Sequence, residues 1–199
     1  MMARRRLLIL AGAAAAAVPA AAAGQVAPVT RSIPVIASAP AVCAIREPAL
    51  AAGAQINFRG LNGNTLQIDR MVDPATLAAA AASVEVTFDA VCNYPHRIRV
   101  EAQNNGLWRT SERPPEPPPG FAFAVPYRAT IDWGLEHGIL EADAKVRRIA
   151  ERSIIVDRAT SGEIRLRLEI DAGASNVQAN APLLAGFYGD TLRITLEPQ

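Results

Sequence analysis

The chain has 199 residues and nearly balances 20 basic against 19 acidic side chains, which gives a formal charge of +1. That balance argues against a nucleic-acid-binding surface, because such surfaces are strongly basic. The two cysteines and two histidines show no metal-ligand spacing and no C-x-x-C motif, so neither a metal nor another cofactor is expected.

The first 23 residues have the pattern of a secretory signal peptide. Three arginines at 4–6 precede an apolar run over 7–18, and three alanines stand at 21–23. This pattern predicts export with cleavage before Gly24, and the alternative is an uncleaved membrane anchor. Cleavage leaves 176 of the 199 residues and lowers the basic count from 20 to 17, so the formal charge becomes −2. No later stretch is apolar enough to span a membrane, and the mature length suits one domain.

Residues 24–42 are predicted to form an extended N-terminal arm, because they contain three prolines and no periodic structure strong enough to stand alone. One set of alternate positions is apolar except for Arg31. These positions are Val29, Ile33, Val35, Ala37 and Ala39. Such an arm suits a strand added to the sheet of another molecule, and a disordered linker is the alternative.

The remaining residues, 43–199, are predicted to form the folded domain. Its only cysteines are Cys43 and Cys92, and an exported chain meets an oxidising compartment, so a disulfide is expected. A catalytic thiol and a metal pair are the alternatives. The disulfide would close a loop between positions 49 apart, which corresponds to about 4 kcal/mol of stabilisation in the chain-entropy model.

Short alternating segments separated by turns predict many β-strands in this domain. The segments are 55–59 and 64–70 around a turn at 61–64, 84–92 and 97–103 around a turn at 93–96, then 121–133, 153–157 and 163–171. A short helix or helical loop is allowed after Asp73, and residues 134–152 read as an insertion with a thin helical face. Strands in this number with little helix predict an all-β fold, an antiparallel β-sandwich.

The last strand is the clearest part of the sequence. Gly186, Tyr188 and Asp190 lead into residues 191–197, where apolar and polar side chains alternate. The apolar side chains are Leu192, Ile194 and Leu196. That period of two predicts a half-buried strand that ends the sheet.

The sequence contains no motif for catalysis. It lacks a G-x-S-x-G elbow, and His96 and His137 are interpreted as surface residues rather than general bases. Trp108, Trp133 and Tyr188 are candidates for stacking on a sugar, with Trp133 favoured as a core residue and Trp108 as the exposed one. The protein is therefore expected not to be an enzyme.

Two stretches resemble the spore coat protein U-like domain family, which includes pilin subunits of the archaic chaperone–usher pathway. The resemblance is carried by residues 84–103, with a cysteine at the end of V-E-V-T-F-D-A-V-C-N, and by residues 182–196, with A-G-F-Y-G-D-T-L-R-I-T-L. It is weaker over 121–133 and absent over 113–120 and 134–152. In this family the domain is an immunoglobulin-like sandwich that lacks one strand, which a periplasmic chaperone and then the next subunit supply.

The resemblance implies a role for several residues. Cys43 and Cys92 would form the family disulfide, residues 24–42 would be the donor arm, and Gly186, Tyr188 and Asp190 would form the signature before the last strand. The implied function is a non-enzymatic subunit of a surface fimbrium, with a periplasmic chaperone, an outer-membrane usher and sister subunits as partners. The alternative is a stand-alone exported binding module, for example for glycans through Trp108.

Overall fold

The computed structural model describes residues 29–53, 55–110 and 118–199. The predicted signal peptide, the first five residues of the predicted arm and most of the proline-rich loop lie outside these ranges. The chain divides into two units, Met1–Ser38 and Ala39–Gln199. In the first unit, the described residues 29–38 contain neither strand nor helix.

The second unit is all-β. Its described residues form fourteen strands and no helix. The strands are β1 (Cys43–Ile45), β2 (Ala49–Leu50), β3 (Phe58–Asn62), β4 (Thr65–Ile68), β5 (Ala82–Cys92), β6 (His96–Ala102), β7 (Leu107–Thr110), β8 (Ala124–Val125), β9 (Tyr127–Trp133), β10 (Glu136–Ala142), β11 (Ala150–Val156), β12 (Thr160–Ile170), β13 (Phe187–Gly189) and β14 (Leu192–Pro198). Nowhere in the described ranges is there a helix that could cross a membrane.

Two antiparallel sheets form the body of the domain. The larger sheet has the order β1-β5-β12-β9-β10, with β2 also paired to β5, and the smaller one has the order β11-β6-β14. A third small sheet, β13-β7-β8, continues from β6 and β14, and β3 and β4 form a separate hairpin. This arrangement is an immunoglobulin-like antiparallel β-sandwich, which confirms the predicted fold class.

The core lies between the two sheets, where the inward residues of each strand alternate with outward ones. The most completely buried large side chains are Trp133, Ile98, Ile131, Ile164, Val84, Val125 and Val156. Each such side chain contributes about 1.5–3 kcal/mol relative to an exposed position. The alternations over residues 84–92, 97–103 and 163–171 are confirmed as β5, β6 and β12.

The disulfide between Cys43 and Cys92 is confirmed. It joins the start of β1 to the end of β5, where the two residues are also strand partners. The chain turns there into β6, so this end of the sandwich is called the lower end. The opposite end, where β5 begins and β6 ends, is called the upper end.

The interpretation of residues 134–152 as an insertion with a thin helical face is wrong, because they contain β10 and the start of β11. β10 pairs with β9 along its whole length, and Gly134, with a φ of 62°, makes the turn between them. Gly138 occupies an inward position beside Leu140 and Ala142. A glycine at an inward position removes one of the apolar side chains from which alternation is recognised.

Of the short helix or helical loop allowed after Asp73, the structure has a single helical turn, closed by the Leu77 N–H donating to the Asp73 carbonyl at 2.8 Å. The Asp73 carboxylate accepts hydrogen bonds from the N–H groups of Ala75 and Thr76, both at 3.0 Å, as a helix N-cap would. These two bonds hold the pKa of Asp73 below its ordinary value, with the Thr76 N–H as the larger cause. Leu77 then has a φ of 58°, a left-handed conformation that ends the helical path after one turn.

Candidate functional site

The two sheets enclose an open cleft on one side of the sandwich. On the other side β10 lies against β11 and the sheets meet. The cleft has a volume of about 680 Å³. Its apolar walls are formed by Phe58, Leu61, Leu66, Ile68, Val86, Phe88, Leu107, Leu166, Leu168, Ile170, Leu192 and Ile194. A cleft with such walls presents apolar surface that a soluble domain normally buries.

One rim of the cleft is β14. Its inward residues Leu192, Ile194 and Leu196 are only half-buried, whereas Ile98 and Val100 on the neighbouring β6 are 0% and 2% exposed. Among the described residues β14 pairs with β6 alone. Its outer edge therefore presents backbone N–H and C=O groups without a ladder partner, which is the template on which another strand can pair.

The other rim is formed by β1 and β2, which cover the outer edge of β5 in two short pieces. Between them, residues 46–48 line the cleft, and the Arg46 N–H donates to the Asp89 carbonyl at 2.8 Å. β1 also approaches β14 at the lower end, but no ladder joins these strands in the described residues.

Asp190 is the main polar group at the upper end of the cleft. One carboxylate oxygen accepts from Asn104 N at 2.8 Å, Asn104 Nδ2 at 3.1 Å and Thr191 N at 2.7 Å. The other accepts from Gly106 N at 3.1 Å and from the Tyr127 hydroxyl at 2.9 Å. These bonds join the junction between β13 and β14 to the turn between β6 and β7, so Asp190 fixes where the last strand begins.

Two tyrosines near Asp190 have raised pKa values. Burial, followed by the charge of Asp190, raises the pKa of Tyr127 far above its ordinary value, so this hydroxyl remains a proton donor to the carboxylate. Burial also raises the pKa of Tyr188, while the charge of Arg109 opposes the change. Both phenols therefore stay neutral and act as structural hydrogen-bond donors.

The other two motif residues support the turn into β13 and β14. The Tyr188 hydroxyl donates to the Leu184 carbonyl at 2.6 Å. A Cβ on Gly186 would lie 2.7 Å from Arg109 Nε, which donates to the Ala185 carbonyl at 2.8 Å. The arginine side chain thus crosses the backbone at a position where only glycine leaves room.

The segment that leads into β1 is held by Asn93. Its side chain accepts from Val42 N at 2.8 Å and donates to the Pro40 carbonyl at 2.9 Å, and its backbone N–H donates to the Val42 carbonyl at 3.1 Å. The disulfide lies directly beside these bonds. The chain is therefore fixed at the lower end from Pro40 onward.

The predicted arm positions are exposed. Val29, Ile33 and Val35 have 84–94% of their surface accessible, and Ala37 and Ala39 are exposed as well. Ile36, which is 92% exposed, has the opposite parity and was not singled out by the sequence pattern. The arm therefore carries large apolar side chains that the other described residues of its unit, 29–38, do not bury.

Of the residues considered for catalysis or sugar stacking, His96 and Trp133 pack against each other in the core. His96 is completely buried, against the sequence-based interpretation, and its ring lies 4.8 Å from that of Trp133, which is buried as expected. His137 is exposed, as expected, and pairs with Asp132 at 2.7 Å. Trp108 is half-buried rather than exposed, and its Nε1 donates to the Asn104 carbonyl at 2.6 Å.

The described residues contain no group of three or more His, Cys, Asp or Glu side chains that could hold a metal ion. Neither a protein-family model nor a curated protein matches this sequence. The candidate site is the apolar cleft beside the edge of β14 that has no ladder partner in the described residues.

Proposed function

We propose that this protein is a non-enzymatic subunit of an exported surface fibre, in which the cleft accepts a β-strand from the N-terminal arm of a second copy. A periplasmic chaperone would fill the same cleft before assembly, and an outer-membrane usher would receive the subunit. These partners follow from the resemblance to spore coat protein U-like domains. The cleft and the arm themselves support the insertion of a strand.

The observation that carries the proposal is the outer edge of β14. It combines backbone groups that lack a ladder partner in the described residues with inward side chains that are only half-buried. A strand added there would satisfy the backbone groups and cover Leu192 and Ile194 at the same time. A small apolar ligand would cover the side chains but leave the backbone edge open.

The arm has the chemistry that such a strand needs. Five of its apolar positions from Val29 to Ala39 share one parity, with Arg31 as the exception, so an extended arm would present one mainly apolar face to the cleft. Both the arm and the cleft expose apolar surface, and their association would bury both surfaces together.

The way in which the arm is attached favours a second copy, rather than the same chain, as the source of the inserted strand. β1 runs from the lower end upward, so the arm joins the domain at the lower end. For the same arm to place all of its apolar positions through Ala39 in its own cleft, the chain would have to reverse within residues 40–42. Asn93 holds these residues with three hydrogen bonds, and a reversal would break them. An arm from another copy meets no such restriction, and repeated exchange in one direction produces an open fibre.

The proposal is tested by placing a charge at adjacent arm positions in the full-length protein. Val35→Asp puts a carboxylate on the arm face that is predicted to point into the cleft, whereas Ile36→Asp puts it on the opposite face of the same segment. An unpaired buried charge strongly opposes insertion. We expect the Val35→Asp protein to form about tenfold fewer oligomers than the wild type in sedimentation velocity at equal concentration.

The Ile36→Asp protein is the matched control, because both native side chains are 92% exposed. It should assemble as the wild type does. Equal assembly by the wild type and the Val35→Asp protein would rule out insertion of the arm with this face toward the cleft. A wild type that stays monomeric would favour the stand-alone binding module instead.

A further inference from the structure

The β3–β4 hairpin, Phe58–Ile68, stands outside both sheets but lines the cleft. Its two strands pair only with each other in the described part of the chain. Asn57 anchors its base: the side-chain amide donates to the carbonyls of Arg70 at 2.6 Å and Ala81 at 3.1 Å, and its oxygen accepts from Arg70 N at 2.9 Å. The hairpin is thus fixed at one end and attached to the rest of the fold by few bonds elsewhere.

A β-bulge gives the hairpin one apolar face. The register shifts between Phe58 and Gly60, so that Phe58 pairs with Ile68 and Leu61 with Leu66. Without the shift, Phe58 and Leu61 would point to opposite faces, because they are three positions apart. All four side chains line the cleft and are only half-buried. On the hairpin's exterior, Arg59 and Asp69 form an exposed ion pair at 2.7 Å.

We infer that the apolar face of the β3–β4 hairpin packs onto the strand that enters the cleft and forms part of its binding site. This inference rests on the proposed function and adds to it a contact that lies outside both sheets. The occupant is the arm of a second copy, which would lie between the hairpin on one side and Leu168, Ile170 and Leu192 on the other. Each of these residues lines the same cleft as the hairpin tip.

The hairpin is expected to pack onto the inserted strand because its own apolar face is incompletely buried. Its four large apolar side chains point to the cleft interior, yet no second apolar surface covers them fully. An inserted strand would supply that surface, and the hairpin would lose exposed area together with the strand. Contacts of this kind mainly slow the departure of a bound partner rather than speed its arrival.

The test uses the full-length Val35→Asp protein, whose own arm is disabled, and a fluorescent peptide with the native sequence of residues 24–42. The dissociation rate of the peptide is measured from this protein and from two derivatives. One derivative adds Leu61→Ala and Leu66→Ala on the apolar face of the hairpin. The other adds Arg59→Ala and Asp69→Ala on its exposed face and is the matched control.

We expect the leucine derivative to release the peptide about tenfold faster, while the control changes the rate less than twofold. Hydrogen exchange of residues 58–68 should slow when the peptide is bound. Because Leu61 and Leu66 lie near an exposed hairpin tip, both derivatives should show the thermal melting of a folded domain, and that melt is recorded for each.

The outcomes separate the inference from the function on which it depends. If the peptide binds but all three proteins release it at the same rate and exchange at 58–68 does not change, the hairpin is not part of the site. If the peptide binds none of the three folded proteins, the proposed function itself is wrong, and the role of the hairpin falls with it.

Discussion

The two sides of the sandwich differ in how they are closed, although both are built from alternating strands that flank β6. On one side, β11 packs against β10, and a Cβ on Gly138 would lie 2.5 Å from Ile154 Cδ1. On the other side, β14 faces β1 and β2 across the cleft. Ile154 on β11 is 7% exposed, whereas Ile194 on β14 is only half-buried.

This difference shows that closure depends on the partner of a strand rather than on the strand itself. β11 and β14 pair with the same central strand in the same antiparallel sense, and each places isoleucine inward. What seals the first side is a glycine on β10 that lets a neighbouring side chain approach its backbone. The described residues supply no equivalent element beside β14.

The largest effect is expected when one inward isoleucine is truncated on each side of the sandwich and the two losses of stability are compared. Ile154→Ala should lower the free energy of unfolding by about 2–4 kcal/mol, because it leaves a cavity in a closed core. Ile194→Ala should lower it by about 1 kcal/mol, because the side chain already contacts the open cleft. Urea denaturation of each full-length protein under oxidising conditions measures both values.

Ile155→Ala is the control for that pair, because Ile155 is the outward neighbour of Ile154 and is 54% exposed. Its effect should stay within about 0.5 kcal/mol. Equal losses for Ile154→Ala and Ile194→Ala would mean that the two sides are equally closed in solution, which would remove the cleft as a binding site.

A smaller effect is expected at the upper end of the open side. Asp190→Asn keeps the size of the side chain but replaces one of the two oxygens that accept five hydrogen bonds. We expect a loss of about 2 kcal/mol in unfolding free energy by urea denaturation, because buried donors lose their acceptor. Asp89→Asn, on the exposed face of β5, should be nearly neutral. Similar small losses for both would show that Asp190 does not hold the start of β14.

The sequence predicted most strands, because their alternation is local. β5, β9, β12 and β14 repeat apolar side chains every second residue, and that pattern reports the face that a strand buries. The same rule would have found His96, which has the parity of Ile98 and Val100 on β6. Its position in a turn motif led instead to the interpretation as a surface residue. β10 was not found, since glycine replaces an apolar side chain at an inward position.

The cleft could not be predicted from the residues, because its existence depends on which strand does not have a neighbour. Ile154 lies in the stretch S-I-I-V and Ile194 in R-I-T-L, and neither pattern shows whether its strand has a neighbour across the sandwich. The hairpin face was found only in part. Phe58, Leu66 and Ile68 fit simple alternation, but the bulge that turns Leu61 to the same side is a property of the paired strands.

The smallest expected effect concerns pH on the closed side. Asp143 lies in the loop from β10 to β11, where the Lys145 N–H donates to its carboxylate at 3.0 Å and the buried Asn105 amide donates at 2.5 Å. The Lys145 N–H is the largest cause that holds the pKa of Asp143 below its ordinary value, with the Asn105 amide as a further one. A lowered pKa in the folded state stabilises the fold above the unfolded value of about 3.9, and this contribution is lost as the pH falls through the folded value.

Asp143→Asn keeps an oxygen that can accept both bonds and removes the titration. Between pH 6 and pH 3 the wild type should therefore lose slightly more stability than the variant, by less than about 1 kcal/mol because Asp143 is only half-buried and solvent screens its charge. Thermal melting at the two pH values measures this difference. An identical decrease in both proteins would show that the loop between β10 and β11 does not depend on the charge of Asp143.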